Sequence, residues 1–370
     1  MSSLLKDIYS KDFFDSFSET LEQVVPTFNS EKFIQHIFDK NWDNRELKER
    51  MKHTSFVLNS FFPADFVKTA KLIENIIENL RHRNIKETGF EFMFLPDYIE
   101  TYGINDYDAS VKSMEFVTQF ASCEFAVRQF IVKYGDKMLR QMQQWSLHDN
   151  HHVRRLASEG SRPRLPWAIA LSELKNNPAP ILPILENLKN DPSEYVRRSV
   201  ANNLNDISKD NPDIVIAIAK KWKGHSKETD AIIKHASRTL LKQGSPVILK
   251  HFGLADNSKI VAGKFNILTP KIKIGDKLEF SFSIQNTDRK PLKVRIEYGI
   301  HYLRNNGQHS KKVFKISERQ LNPAEKIDIN RKQSFKIITT RKFYAGQHKL
   351  SLIINGVEKK IGKFELSDSQ

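Results

Sequence analysis

The stretches DNHHVRRLA (149–157) and DPSEYVRRSVA (191–201) are two copies of one pattern, with Val153 and Val196 separated by 43 residues. A weaker third copy, IIKHASRTL (232–240), aligns with Val196–Leu204 at a spacing of 36. In each, an Asp-containing turn or a polar break precedes a Val/Ile–Ala–Leu run at three- and four-residue spacing, the mark of a helix buried along one face. The paired arginines would then project away from the packed face.

Working outward, apolar residues recur at helical spacing from Leu4 to about Phe252, as in Ile73, Ile76, Ile77 and Leu80. Pro63 and Asp65 read as the end of one helix and the start of the next. The segment Thr88–Tyr107, rich in aromatics and containing Pro96 and Gly103, reads as a connector, and Val117–Tyr134 as one long apolar helix. A repeat of this length belongs to stacked helix pairs of the HEAT type. Beyond Asp256 the period changes to two, in LEFSFSI (278–284), KVRIEY (293–298) and KIDI (326–329). Further strand-like runs are Lys264–Leu268, Lys311–Ile316, Ser334–Ile338, His348–Ile354 and Glu358–Phe364. Turn signals at Gly275-Asp276, Asn286–Lys290, Asn305–Gly307, Asn322-Pro323 and Asn355-Gly356 separate them. The expected architecture is a multidomain α and β chain. A HEAT-like α-α superhelix spans 1–256 and an immunoglobulin-like antiparallel β-sandwich spans 257–370.

Charge divides along the same line. Of a formal net +15, residues 257–370 hold +14, from 24 Lys and Arg against 10 Asp and Glu. A basic face on alternating strands points to a polyanion, with anionic lipid or mere solubility as competitors. The one cysteine, Cys123, excludes an intrachain disulfide and a Cys-based zinc site. The opening MSSLLKDIYSKDFFDSF lacks a leader's apolar core, and no stretch reaches bilayer-spanning length, so a bacterial cytoplasmic location is expected.

Chemistry concentrates in WSLHDNHHVRRLASEGSRPRLPW (145–167). It holds Arg154, Arg155, Arg162, Arg164, three histidines, Glu159 and two tryptophans. Glu159 lies one turn after Arg155, so it is either half of an intrahelical ion pair or a carboxylate held for use. Arg162–Pro166 cannot continue a helix and reads as an arginine-bearing loop leading to Trp167. Glu124, in an apolar setting, either pairs with Arg128 or projects into a groove. The VRR arginines, Arg154, Arg155, Arg197 and Arg198, either line a ligand face or serve the ordinary repeat by bonding neighbouring acids and helix ends. His148, His151 and His152 lack the partners of a recognised metal site, and no metal or cofactor is expected.

The combination of ELKERM (46–51), VRRLASEGSRPRLPW (153–167) and VRRSVANNLNDISKD (196–210) resembles the AlkC branch of the DNA alkylation repair glycosylases. The resemblance covers about the first 250 residues, and some such proteins add an immunoglobulin-like domain. It implies removal of cationic N3-methyladenine and N3-methylcytosine from duplex DNA, without metal and without extruding the base. It further implies Glu124 and Glu159 at the reacting sugar, Trp167 against the deoxyribose, and Arg155 and Arg162 on flanking phosphates. Asp206 stands where a related branch has a catalytic aspartate, or is a helix-end residue. In the β-domain, Arg304–His309 and Thr340–Phe343, with Arg304, Arg341 and Lys342, are the candidate DNA contacts. The partner expected is alkylated double-stranded DNA bound by a monomer; the competing reading is a non-catalytic scaffold for nucleic acid or an acidic protein.

Overall fold

The computed structural model describes residues 4–85, 90–254, 258–338 and 341–368. It forms two compact units, Met1–Val215 with Lys221–Ala236, and Ile216–Lys220 with Ser237–Gln370. The expected boundary at 256/257 falls outside the described residues.

Sixteen α-helices are present among the described residues. They are α1 (Lys11–Val24), α2 (Ser30–Ile37), α3 (Leu47–Asn59), α4 (Phe66–His82), α5 (Phe94–Tyr102), α6 (Tyr107–Val117), α7 (Ala126–Tyr134) and α8 (Asp136–Trp145). After these come α9 (His151–Gly160), α10 (Ser172–Asn176), α11 (Leu182–Leu188), α12 (Glu194–Ile207), α13 (Pro212–Trp222), α14 (Lys227–Ala236), α15 (Arg238–Lys242) and α16 (Pro246–His251). Local sequence explains their limits. Asp65 accepts from the Val67 and Lys68 amides and starts α4, while Asn150 accepts from the His152 amide and starts α9. The helices α9, α12 and α14 pack side by side in that order; α9 and α12 hold the two full copies of the repeat, whereas the third copy, Ile232–Leu240, is broken at Ser237 between α14 and α15.

Two expectations are corrected. The stretch after Phe90 contains α5, because Phe94, Leu95, Tyr98 and Ile99 are all buried and Pro96 sits in the first turn, where no amide is missed; Thr88 lies outside the described residues. Val117–Tyr134 is not one helix. The chain leaves α6 at Val117 and starts α7 only at Ala126, with the Thr118 hydroxyl accepting from the Cys123 amide in the intervening turn.

The second unit is a β-sandwich whose strands are β1 (Ile260–Ile267), β2 (Lys271–Lys273), β3 (Lys277–Asn286), β4 (Leu292–Leu303), β5 (His309–Leu321), β6 (Lys326–Ser334), β7 (Gly346–Ile354) and β8 (Val357–Ser367). Sheet orders are β1-β3-β6 and β2-β8-β7-β4-β5. All pairings are antiparallel except β2 on β8, where Lys271–Lys273 runs beside Glu365–Ser367. The core alternates along each strand, with Leu278, Phe280, Phe282 and Ile284 from one sheet meeting Ile296, Ile300, Leu350 and Leu352 from the other. The run Ser334–Ile338 does not continue as a strand. Phe335 turns into the core while Ile337 is 71% exposed. The helices α15 and α16 belong to this unit, and the Gly244 corner between them rests against Gly356 at the β7–β8 turn. A Cβ on either glycine would lie 2.7 Å from the other's backbone, and both have φ near +75°.

Candidate active site and nucleic-acid interface

The segment SEGSRPRLPW is built as much for packing as for chemistry. Ser158 and Ser161 are buried against α12: Ser199 Oγ donates to Ser158 Oγ at 2.9 Å, and the Asn203 amide donates to the Ser158 carbonyl at 2.8 Å. At Gly160 a Cβ would meet Val127 Cγ1 at 2.4 Å, so only glycine lets α9 close on α7. Between these packing residues Glu159 faces a row of alternating charges.

That row runs through both repeats. Arg155 bonds the Glu124 carboxylate and lies 3.8 Å from Glu159. Arg162 donates to Glu159 at 2.6 Å and, through Nε, to Asp206 at 2.8 Å. Lys209 closes the row on Asp206 at 2.8 Å. Burial opposes the charge on Arg155 and on Arg162, yet the flanking carboxylates outweigh it and raise both guanidinium pKa values. Removing any one member would leave the row one charge out of balance. The sequence alone leaves Glu124 either paired with Arg128 or free. In the structure it takes Arg155 instead, and a 2.9 Å bond from the Ser122 hydroxyl.

Arg128 has a different task. Wholly buried, it donates to the carbonyls of Gly160 (2.9 Å), Arg162 (2.7 Å) and Ile169 (2.8 Å). Burial and the neighbouring Arg162 depress its pKa to about 10, which leaves it a cation at neutral pH. It thereby pins both ends of the loop carrying Trp167. Trp167 does not open the next helix. It is 61% exposed, has φ of +65°, and its carbonyl accepts from Lys48 Nζ at 2.7 Å.

Beside Glu124 lies a cavity of about 520 Å³ walled by Phe120, Phe125, His152, Arg155 and Tyr195. Arg155 lies over the Tyr195 ring, 4.5 Å from its centroid. An aromatic, partly open chamber edged by a carboxylate can hold a planar cation or a sugar developing positive charge.

The arginines divide by position within VRR. The first of each triplet serves the repeat: Arg154 donates to the His148 and Asp149 carbonyls, and Arg197 repeats this on Asp191 and Pro192. Arg154 also grips Asp191 at 2.6 Å. The second of each triplet differs, Arg155 being in the charge row and Arg198 exposed in a groove beside Lys227 and His235. Arg164 is exposed but bonded to Asp210 at 2.7 Å. In the β-domain Arg304 is exposed in the β4–β5 turn, and Lys342 is exposed too. Arg341, by contrast, stacks 3.9 Å from the Tyr302 ring centroid. Thr340 lies outside the described residues. Among the described residues no group of His, Cys, Asp or Glu could hold a metal ion, and no helix is long and apolar enough to cross a membrane.

Lys48, Ser122, Phe125, Arg128 and Tyr195 are not legible as site residues in the sequence. Their shared signal is weak: each lies outside the Arg-rich segment and joins it only through the fold.

Residues 108–240 match the family described as "DNA alkylation repair enzyme", and residues 261–368 match "Uncharacterised protein YhaZ, C-terminal Ig-like domain". The chain is 42% identical over 355 residues to YhaZ of Bacillus subtilis strain 168, covering 96% of this chain and 97% of that protein. Among solved structures it is similar to the Pseudomonas fluorescens alkylpurine DNA glycosylase AlkC bound to DNA containing an abasic site analog. That likeness has a TM-score of 0.92 at 34% identity, over 98% of this chain and 99% of the other.

Proposed function

Because this chain belongs to the DNA alkylation repair enzymes, in the branch of AlkC and YhaZ, we propose that it is a DNA glycosylase that hydrolyses the N-glycosidic bond of cationic N3-methyladenine and N3-methylcytosine in duplex DNA. The observation that supports this most strongly is the row Glu124–Arg155–Glu159–Arg162–Asp206, whose Arg162 opens the short loop that carries the exposed Trp167. A base already carrying positive charge leaves readily, so the enzyme has to stabilise an oxocarbenium-like sugar and orient water. Glu124 and Glu159 supply the negative charge and the water acceptor, and Trp167 offers its π face to the sugar. Asp206, buried at 1% exposure, acts through Arg162, whose position it fixes. Arg155 and Arg162 are engaged by carboxylates, so their part is to orient those acids rather than to hold phosphate.

Phosphates fall instead to Arg198, Arg304 and Lys342, which are exposed. Trp167 on an open loop, rather than in a closed pocket, fits attack on a base that stays in the stack. A rise in fluorescence of 2-aminopurine placed at the lesion position on binding would overturn that part of the reading. The catalytic part is tested by chromatographic detection of methylated base released from alkylated duplex. Glu124→Gln and Glu159→Gln should each lose about 10²-fold or more in single-turnover rate. Release by wild type with no loss in either variant removes them from the chemistry, and no release by wild type favours the non-catalytic scaffold.

A further inference from the structure

The motif ELKERM (46–51) is prominent in the sequence, yet none of its side chains belongs to the charge row. Most of it builds the start of α3. Glu49 accepts from the Glu46 amide at 2.7 Å, Arg50 donates to the Lys6 carbonyl at 3.0 Å and covers Trp42 at 4.7 Å, and Met51 is buried. Lys48 does something else. Its ammonium reaches a residue 119 positions away, the Trp167 carbonyl, and stands 5.1 Å from the centroid of the Phe125 ring. Phe125 follows Glu124 directly. One side chain therefore joins the residue that presents the indole to the turn that presents the carboxylate.

The need for such a tie is visible in the backbone. A tryptophan at φ of +65° is held against its own steric preference, and such a conformation persists only where its surroundings impose it. The indole is exposed and gives little packing energy to that end. Arg128 fixes the flanking carbonyls of Arg162 and Ile169, and Lys48 fixes the carbonyl of Trp167 itself. Both cations come from helices other than the one preceding the loop.

We propose that Lys48 is a positioning residue for base excision: held between the Trp167 carbonyl and the Phe125 ring, its ammonium sets the indole of Trp167 relative to Glu124. This rests on the roles given above to Trp167 and Glu124. Loss of the tie misplaces the indole without removing a group that touches DNA, so the chemical step suffers more than binding.

The test combines single-turnover excision of N3-methyladenine, affinity for duplex containing an abasic-site analogue, and acrylamide quenching of tryptophan fluorescence. Trp42, Trp145 and Trp222 are buried, so quenching reports on Trp167. Lys48→Met should slow excision about 10- to 100-fold, alter quenching, and leave affinity within about threefold. Lys48→Arg should recover most of the rate, and Lys48→Met in a Trp167→Ala background should add no further loss. Lys48→Gln replaces the methionine variant if the latter lowers the melting temperature. A wild-type rate in Lys48→Met, a loss that multiplies with that of Trp167→Ala, or a loss confined to affinity would each overturn the proposal. If wild type releases no base, the catalytic reading fails, and unchanged quenching in Lys48→Met would separately overturn the positioning role.

Discussion

Glu100, which feels the charge of Lys48, shows what a single half-buried acid does to this helical unit. Burial, with Asp97 beside it, pushes its pKa up to about 7 from an ordinary 4.5, while Lys52 and Lys48 pull the other way. A carboxyl with a raised folded-state pKa contributes stability that is complete below pH 4.5 and is lost as pH rises through 7. The loss amounts to about 3 kcal/mol at most. Glu100→Gln should therefore melt with wild type near pH 4 and above it at pH 8, as followed by circular dichroism; a gap that shrinks with rising pH would contradict this. The site itself was only half legible at this scale. The residues of SEGSRPRLPW stand out in the chain because Arg, Glu and Trp crowd together, but their partners do not. Arg155 finds Glu124 31 residues upstream, and Arg162 finds Asp206 44 residues downstream. Only folding decides which carboxylate an arginine meets.

The helix pairs were legible because their apolar spacing is periodic, whereas α5 and the break before α7 were not. Aromatic density around Pro96 resembles a loop until burial of Phe94 and Tyr98 is known, and the turn before α7 is as apolar as the helices it joins. Similarly, Ser334–Ile338 alternates like a strand although Ile337 and Ile338 are solvent-exposed. The closeness of α9 to α7 is also an element-scale property, and it depends on Gly160. Gly160→Ala would bring a methyl within 2.4 Å of Val127 and 3.2 Å of Met142. A destabilisation of about 1–3 kcal/mol is expected from overpacking, measured by denaturant titration. An unfolding midpoint equal to wild type would mean that α7 gives way freely.

For the whole molecule, charge and chemistry are separated along the chain. Residues 257–370 supply +14 of the net +15, yet several of those cations sit on the outer strands β5 and β6, including Lys311, Lys312, Lys315, Arg331 and Lys332. Lysine on a sheet edge opposes pairing with another chain, which gives that part of the excess charge a use independent of any ligand. On the function proposed above, the exposed residues Arg304 and Lys342 are the phosphate ligands. Replacing both with glutamine should lower the slope of log affinity against log salt by about 1.8, near 0.9 for each phosphate no longer neutralised. An unchanged slope would move the DNA path elsewhere.

The two cations that hold the tryptophan loop also bear on transplanting this site into another helical array. Arg128 comes from α7 and Lys48 from α3, far outside the ten-residue segment a designer would copy. A scaffold given SEGSRPRLPW alone would receive Glu159 and the indole without Glu124, Asp206 or the clamps, and its indole would be free to swing. The smallest portable unit is therefore a constellation of four helices, α3, α7, α9 and α12, with the turn that carries Glu124 and the loop that carries Trp167, which no short contiguous stretch of the sequence contains.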